Sequence, residues 1–342
     1  MDNRLKNIVY TLILVGAVAA VYFWRNSGNA ELVAFQGKTM GPISYSVKYF
    51  DNEGRNFKAE IDSLLADFNN ALNTYLPGSE ITAFNEGDSI WTFASEYPFR
   101  VIDVSRRIYE ETEGAYDPTV MPLVNAWGFG PEEAWEPDSM AIDSIRTFVG
   151  FDKLSFDERS VVKPDPRIQL DFSASAKGYG VDVVVDYLKE QGIDNIFVEI
   201  GGEVRTMGEN LETEKPWRIA IIHPESTVEN VRQIAIMEVS DNAVATSGNY
   251  FNYRVIDGQK FSHTIDPESG YPVARALLSA SVIAPTCLEA DALATAFMVM
   301  GHEKAIEYLE SHNQIGGFLI FSTESGLSFY QTEGLAINLL ED

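Results

Sequence analysis

The sequence has little positive charge and almost no thiol chemistry. Its 342 residues include 25 Lys plus Arg against 51 Asp plus Glu, which gives a formal net charge of −26. A surface of that sign repels phosphate backbones, so we expect no nucleic-acid partner. Cys287 is the only cysteine, which excludes an intrachain disulfide and a cysteine-ligated zinc site. Its spacing to the four histidines suggests no catalytic Cys–His pair.

Long uncharged runs are absent except at the N-terminus, where residues 8–24 read IVYTLILVGAVAAVYFW. This run is at the short end of what spans a bilayer, roughly 17–25 residues. Arg4 and Lys6 precede it, and aromatic residues close it at the expected interface. We predict that residues 1–30 are an uncleaved membrane anchor and linker, which places the rest at the periplasmic side of the cell inner membrane. A cleavable signal peptide is the other interpretation, and the bulky VYFWRN exit disfavours it.

No Pro-rich or Ser-rich break divides the rest of the chain, so we treat residues 31–342 as one domain. Apolar spacing predicts helices over 57–74, 98–112, 178–191 and 285–301. Strands are predicted over 195–202, 217–224, 276–284 and 316–322, and a further one ends at Asp171. Helices and strands mix without regular alternation, which predicts an α+β fold.

A carboxylate interrupts the last of these helices. Residues 285–301, PTCLEADALATAFMVMG, are nearly all small or apolar, yet Asp291 lies in their middle. Thr286 and Glu289 form a capping box, which places Asp291 and Thr295 at i and i+4 on one face near the helix start. Because a buried carboxylate needs a compensating partner, two explanations stay open. Either Asp291 bonds to a buried backbone amide, or Asp291 and Thr295 offer hard oxygen ligands to Mg²⁺ or Ca²⁺.

Two other segments have features of a ligand site. In residues 168–182, IQLDFSASAKGYGVD, small residues join a strand to a helix, so a ligand can approach the backbone closely. The helix start favours anionic groups, and Lys177 adds a positive charge there. In residues 247–273 an Asp-Gly pair predicts a hairpin, which puts His263 on the returning strand at the mouth of a loop. The aromatic residues of 114–130 either flank a flat ligand ring or fill the core.

Seven motifs follow one another along the chain: GKTMGPISY, YLPGSEITAFN, GAYDPTVMPLVNAWGFG, LDFSASAKGYGVD, GGEVRTMG, ATSGNYFNYRVIDGQKFSHTIDPESGYPV and SVIAPTCLEADALATAFMVMG. This series closely resembles the ApbE family of FAD:protein FMN transferases, over about residues 36–330. The resemblance implies a bilobed fold that holds FAD between the lobes, with Mg²⁺ at the pyrophosphate. It also implies an enzyme that cleaves FAD, attaches FMN through a phosphoester to a Ser or Thr of a target protein, and releases AMP. The implied target is an extracytoplasmic part of a membrane redox complex or an exported flavoprotein.

The resemblance also implies roles for individual residues. Asp291 and Thr295 match metal ligands that bind through their side chains, and Ala174 and Ala294 match positions whose backbone carbonyls complete the site. His263 matches the histidine that helps to activate the acceptor hydroxyl. The residues that match FAD contacts are Met40, Tyr75, Ala115, Tyr116, Asp117, Asp171, Lys177 and Ile265. The phosphate-side turn reads DFSASAKGY where many relatives have DLGGIAKGY, and this change leaves a backbone carbonyl available as a ligand.

Three functions fit this set of residues. The first is the Mg²⁺-dependent transferase, and the second is a Mg²⁺-dependent FAD pyrophosphatase that uses water as the acceptor at the same site. The third is a flavin-binding protein without turnover, against which the intact histidine and metal-ligand pair argue. The first two use the same residues and differ only in the acceptor.

Overall fold

The computed structural model of the protein describes residues 6, 10–18, 21, 30–87, 89–131, 137–227, 230–248, 253–256 and 259–340. Within these ranges the strands are β1 (Glu31–Thr39), β2 (Ile43–Asp51), β3 (Ile90–Thr92), β4 (Ser155–Phe156), β5 (Ser160–Val162), β6 (Ile196–Ile200), β7 (Glu203–Met207), β8 (Trp217–Ile222), β9 (Gln233–Val239), β10 (Ala243–Gly248), β11 (Tyr253–Ile256), β12 (Gln259–Ser262), β13 (Leu277–Ala284), β14 (Gly316–Thr323), β15 (Gly326–Gln331) and β16 (Ile337–Leu339). The α-helices with defined bounds are α1 (Lys58–Leu72), α2 (Glu80–Asn85), α3 (Tyr97–Glu111), α4 (Met121–Ala126), α5 (Ser139–Arg146), α6 (Ala176–Glu190), α7 (Cys287–Met300) and α8 (His302–Ser311). Short 3₁₀ turns lie at Pro118–Val120 and Phe151–Lys153. This mixture of helices and strands confirms the predicted α+β class.

Eight strands form one antiparallel sheet in the order β1-β2-β6-β7-β10-β13-β14-β15. Helices cover one face of this sheet. The residues that face them alternate along each strand, because successive residues of a strand point to opposite sides. In β2, for example, Tyr45, Val47 and Tyr49 are buried in one core cluster with residues of α1 and α6. The opposite face is covered by the three-stranded sheet β16-β9-β8, whose residues Ile221 and Met237 share a cluster with residues of β10, β13 and β14.

Helices α6 and α7 occupy the middle of the core. Every residue of α7 except Thr295 and Met300 is buried, as its nearly uniform apolar sequence predicts. The helix packs against β13 and β14 through one cluster of small and apolar side chains. α6 packs on the neighbouring part of the sheet through Val181, Val184 and Leu188. The two helices therefore lie side by side on the same layer.

The strand predicted to end at Asp171 is absent from the described structure, where residues 168–172 are extended but unpaired with any strand. The prediction was wrong because the backbone of this segment bonds to the side chain of Asn85 and to the carbonyl of Pro118 rather than to a strand. Asn85 Oδ1 accepts from the amide of Leu170 at 2.7 Å, and Asn85 Nδ2 donates to the carbonyl of the same residue at 2.8 Å. Ile168 and Phe172 are buried all the same, which accounts for the strand-like alternation of the sequence.

Residues 10–18 and 21 of the predicted membrane anchor are described, as exposed helix, and the rest of the segment 8–24 lies outside the described residues. Within the described ranges, we find no helix with the length and apolar character that crossing a bilayer requires.

Candidate active site

Three charged side chains meet where α6, α7 and β7 begin. The Lys177 ammonium lies 2.7 Å from Oε1 of Glu203 and 3.4 Å from Oδ1 of Asp291. The two carboxylate side chains are only 5% and 3% exposed, whereas that of Lys177 is 26% exposed. Lys177 is therefore the partner of Asp291 that the apolar helix itself does not contain.

This arrangement shifts the pKa values of all three groups. Burial alone would lower the pKa of the Lys177 ammonium, and the two carboxylates reverse that effect, so its pKa lies above the ordinary value. Burial raises the pKa of Glu203 to about 8 although Lys177 opposes the shift. Burial likewise raises the pKa of Asp291 against the effect of Lys177. When both carboxylates are ionised, the three groups carry one excess negative charge, which a bound cation would compensate.

Each of the two central helices caps the start of the other. Asp291 of α7 accepts a hydrogen bond through Oδ2 from the amide of Gly178, in the first turn of α6, at 3.0 Å. Asp182 of α6 accepts bonds from the amides of Cys287 and Leu288, in the first turn of α7, at 2.9 Å each. These amides have no partner within their own helix, so the carboxylates satisfy donors that would otherwise be orphaned. The backbone-amide explanation for Asp291 is thus correct alongside the lysine.

Glycine is required at the point where these helices approach each other closely. A Cβ at position 178 would lie 2.2 Å from the carbonyl oxygen of Cys287 and 2.8 Å from Cβ of Asp291. Backbone and a short side chain cannot give way by that much, so only Gly178 permits the contact. The AKG sequence therefore supplies both the cation and the close approach of the two helices.

β7 faces α6 with alternate residues, and this places a second ion pair beside the first. Glu203 contacts Lys177, and two residues on, Arg205 donates to Asp182 at 2.8 Å and to Asp186 at 3.1 Å. Two residues along a strand span about 6.6 Å, and the five residues from Lys177 to Asp182 span about 7.5 Å along the helix, so the two spacings match. Asp182 thereby joins the cap of α7 to the buried guanidinium of Arg205.

The predicted capping box is half confirmed. Thr286 Oγ1 accepts from the amide of Glu289 at 3.3 Å, as expected for the residue that caps α7. The Glu289 carboxylate pairs instead with Arg107 of α3, at 2.8 Å. The glutamate therefore joins two helices.

Both predicted backbone ligand positions lie in or against one core cluster. Ala294 is a buried member of the core cluster that contains Tyr116, and the partly buried Ala174 packs against this cluster. The hydroxyl of Tyr116 donates to Ser175 at 2.8 Å and is within 3.2 Å of Ser105. Burial raises the pKa of Tyr116 well above its ordinary range, so the hydroxyl is protonated and acts as a donor.

Thr295 contacts the end of β10, and His263 comes directly after the hairpin that follows β10. The Thr295 hydroxyl lies 3.2 Å from that of Ser247, near the end of β10. The chain then enters the predicted hairpin, in which Tyr253 pairs with Ser262. The turn residues 257–258 lie outside the described residues, but the pairing of the flanking strands confirms the hairpin. His263 follows Ser262, at the hairpin end that connects back to β10.

Asp117 and Asp171 are held by local hydrogen bonds. Asp117 caps a 3₁₀ turn, accepting from the amide and the hydroxyl of Thr119, and its other oxygen accepts from the amide of Phe151. Burial raises the pKa of Asp117 to about 6. Asp171 accepts from the amide of Ser173, and burial raises its pKa above the ordinary value. Its own amide donates to the carbonyl of Pro118 at 2.8 Å, so the two carboxylates are on adjoining segments.

The remaining predicted contacts lie on separate segments of the fold. Met40, with a positive φ of 49°, lies above α6, where a Cβ at Gly180 would be 3.1 Å from its terminal methyl carbon. Tyr75 is 56% exposed, and its hydroxyl donates to the carbonyl of Phe129 at 3.2 Å. Ala115 donates from its amide to Thr112 in the turn after α3. Ile265 is buried against residues of α4 and α5.

The donor set suits a hard cation. No group of three or more His, Cys, Asp or Glu side chains able to hold a metal occurs in the described part of the chain. The predicted set has a single carboxylate, from Asp291, together with the hydroxyl of Thr295 and two backbone carbonyls. Oxygen atoms of these types are the ligands that Mg²⁺ prefers. The residues therefore fit the expected metal.

The sequence alone did not identify Glu203, Asp182 or Ser247. Glu203 lies within the motif GGEVRTMG, directly after the predicted strand over 195–202, and only the structure shows that it is buried at the first position of β7. Asp182 ends the LDFSASAKGYGVD motif, and its signal is a carboxylate among the valines of a buried helix. Ser247 gives no signal before its contact with Thr295 is known.

Comparison with known proteins places these features in a family. A family model described as the ApbE family matches residues 40–319. A FAD:protein FMN transferase of Vibrio cholerae is 41% identical over 308 residues, which are 88% of this chain and 91% of that protein. Proteins of the same name from Haemophilus influenzae and Escherichia coli are 37% and 36% identical, over 86% and 87% of this chain and 88% and 86% of their own lengths.

Solved structures agree with the sequence comparison. The flavin transferase ApbE from Vibrio cholerae superimposes with a TM-score of 0.79 at 39% identity, covering 89% of this chain and 98% of that one. The apo form of the Pseudomonas stutzeri flavinyl transferase ApbE gives a TM-score of 0.79 at 34% identity, covering 89% and 96%. The family model, the identity to the relatives and the fold of the solved structures therefore agree. The chain belongs to the ApbE family.

Proposed function

We propose that this protein is a Mg²⁺-dependent FAD:protein FMN transferase. In this reaction a Ser or Thr hydroxyl of a target protein attacks the FMN-side phosphorus of FAD. The new phosphoester bond forms as the pyrophosphate bond to AMP breaks, and AMP leaves. The observation that carries the proposal is the contact of Lys177 with Asp291 at the start of α6, in a chain that belongs to the ApbE family.

The chain's own residues supply most of what this reaction needs. Phosphoryl-type transfer depends on positioning and on neutralising charge on the phosphate oxygens. Lys177 provides an ammonium for that purpose, and FAD would contact Met40, Tyr75, Ala115, Tyr116, Asp117, Asp171, Lys177 and Ile265. A metal held by Asp291, Thr295 and the carbonyls of Ala174 and Ala294 would supply further neutralisation.

His263 is the proposed base. An alcohol is a weak nucleophile until its proton is withdrawn, and an imidazole with an ordinary pKa near 6.5 is suited to this at neutral pH. His263 lies at the base of a hairpin, on a different segment from the helices that carry Lys177 and Asp291. We therefore assign it to the acceptor side of the reaction.

The decisive experiment uses the full chain, FAD, Mg²⁺ and an acceptor domain from an exported or membrane redox flavoprotein. Mass spectrometry of the acceptor and chromatography of the nucleotides are measured together. A heavier acceptor with an equal amount of AMP supports the transferase. Free FMN and AMP with an unmodified acceptor indicate a FAD pyrophosphatase, and FAD binding without AMP indicates a flavin-binding protein.

We further propose that residues 1–30 anchor the enzyme in the cell inner membrane with the catalytic domain on the periplasmic side. The uncharged run 8–24 and the basic residues before it support this placement. The full chain should resist alkaline extraction from membranes, and its catalytic domain should be digested by protease added to spheroplasts. A chain that begins at Glu31 should be soluble and active. Inactivity of a folded chain of that length would show that the N-terminal segment belongs to the catalytic domain.

A further inference from the structure

Only one of the two carboxylate oxygens of Glu203 accepts a hydrogen bond among the described residues. Its Oε1 accepts from Lys177 at 2.7 Å. Its Oε2 is buried and has no hydrogen-bond partner among the residues that the structure describes. A buried carboxylate oxygen without a partner is costly, so a position of this kind needs a reason other than stability.

Lys177 is held closer to Glu203 than to Asp291, since its two distances are 2.7 and 3.4 Å. The turn before β7 fixes this preference. Gly201 has a φ of 61°, and a Cβ there would lie 3.3 Å from Cδ of Lys177, so the turn backbone packs along the stem of the lysine. The same turn sets the position of Glu203, two residues later, and therefore controls both the stem and the charged end of Lys177.

We propose that Glu203 is a positioning residue that holds the Lys177 ammonium away from Asp291, so that Asp291 keeps its negative charge for a divalent cation. The inference rests on the proposed function, in which Asp291 is a metal ligand. Without the Glu203 carboxylate, Asp291 is the remaining anionic partner of Lys177 within the described contacts. The ammonium would then neutralise the metal ligand directly.

The net charge of the three groups predicts an order of cation affinity among the variants. The group of Lys177, Glu203 and Asp291 has a net charge of −1 when all three are ionised, so the affinities are compared at a pH above the raised pKa of Glu203, which is about 8. Glu203→Gln makes it 0, Lys177→Met makes it −2, and the double variant returns it to −1. If Glu203 acts through Lys177, affinity for a divalent cation follows this order, tightest for Lys177→Met and weakest for Glu203→Gln.

The test measures binding of Mn²⁺ to the full chain in the absence of FAD, by the electron paramagnetic resonance signal of the free ion. Mn²⁺ replaces Mg²⁺ at oxygen-ligand sites. We expect Glu203→Gln to raise the Kd by about tenfold or more, and Lys177→Met in that background to restore it to within about threefold of the wild type. Glu199→Gln is the matched control, because Glu199 lies on the same hairpin with its carboxylate bonded to the amide of Gly202. It should leave the Kd unchanged.

Three results would overturn the inference. An unchanged Kd for Glu203→Gln shows that Glu203 does not affect the cation. A double variant as weak as Glu203→Gln shows that Glu203 acts as a ligand or only as a structural residue, independently of Lys177. Binding that survives Asp291→Asn overturns both the inference and the metal assignment of the proposed function, whereas loss in Asp291→Asn with an unchanged Glu203→Gln overturns the inference alone.

Circular dichroism and thermal unfolding establish that each variant is folded. If Glu203→Gln does not fold, Glu203→Asp takes its place, because it keeps the charge but withdraws the carboxylate by one methylene. The ammonium then moves toward Asp291, and we expect the Kd to rise by about threefold. A Kd equal to that of the wild type in this folded variant would also overturn the proposal.

Discussion

Replacing Asp182 by Asn should reveal how strongly the two central helices depend on each other. Asp182 is fully buried, and its two oxygens accept the amides of Cys287 and Leu288 at 2.9 Å each. Oδ1 also accepts from Arg205 at 2.8 Å. An amide keeps one acceptor oxygen and carries no charge, so one backbone donor loses its partner. Arg205 is then left with Asp186, at 3.1 Å, as its anionic partner.

The magnitude follows from these contacts. Removing one partner of a buried ion pair costs about 3–5 kcal/mol, and losing a helix cap costs about 0.5–2 kcal/mol. The two effects overlap in Asp182, and Asp186 still compensates Arg205 in part, so we expect a loss of about 3 kcal/mol in the free energy of unfolding. That is a large share of the roughly 5–15 kcal/mol that stabilises a typical domain.

Urea unfolding at neutral pH, followed by far-UV circular dichroism, measures this loss. Asp186→Asn is the control, because Asp186 bonds to the same guanidinium but its side chain is 38% exposed. We expect it to cost less than about 1 kcal/mol. Equal losses in the two variants, or a loss below about 1 kcal/mol for Asp182→Asn, would refute the reasoning from reciprocal caps.

Three further predictions follow from the site. Gly178→Ala must push α6 and α7 apart, because its Cβ would lie 2.2 Å from the carbonyl oxygen of Cys287. We expect urea unfolding to show a loss of about 2 kcal/mol or more in the free energy of unfolding. The loss should be much smaller for the control Gly180→Ala, whose Cβ meets a flexible methionine. Burial raises the pKa of Asp117 to about 6, so its contribution to stability is present below the ordinary carboxyl pKa and is lost as the pH rises through the folded value. Relative to Asp117→Asn, the free energy of unfolding of the wild type in urea should therefore fall by up to about 3 kcal/mol between about pH 4 and about pH 7. A difference between the two proteins that does not change with pH would contradict this prediction. His263→Ala should bind FAD almost normally while acceptor labelling falls by about 10²-fold or more, and a parallel loss of FAD affinity would move His263 from base to ligand contact.

The sequence predicted the parts of the fold that depend on local spacing. The predicted helix over 57–74 is α1, and its apolar face, which includes Ile61, Leu65 and Phe68, is buried. The apolar run 285–301 is the buried helix α7, capped by Thr286 as its position before the run indicated. These predictions succeed because a helical period or a cap is visible within a few consecutive residues.

The parts that failed depend on contacts between distant segments. The alternation of Ile168, Leu170 and Phe172 resembles a buried strand, but Asn85, far away in the sequence, takes the backbone hydrogen bonds of Leu170. Glu203 is 26 residues from its partner Lys177 in the chain. No periodicity connects such pairs, so only the fold reveals them. The family resemblance identified Lys177 and Asp291, but it did not identify Glu203, whose carboxylate accepts a hydrogen bond from Lys177.

The residues of the proposed site lie on two kinds of segment, which are packed helices and the end of a hairpin. Lys177 and Asp291 lie near the starts of two helices that cap each other and approach closely at Gly178, which fixes the backbone that carries both side chains. Ligands carried on packed helices are held more precisely than ligands on loops. His263 comes instead from the segment that follows a two-stranded hairpin. This division suits an enzyme whose nucleotide substrate is always the same, while the second substrate is a protein that must approach, react and leave.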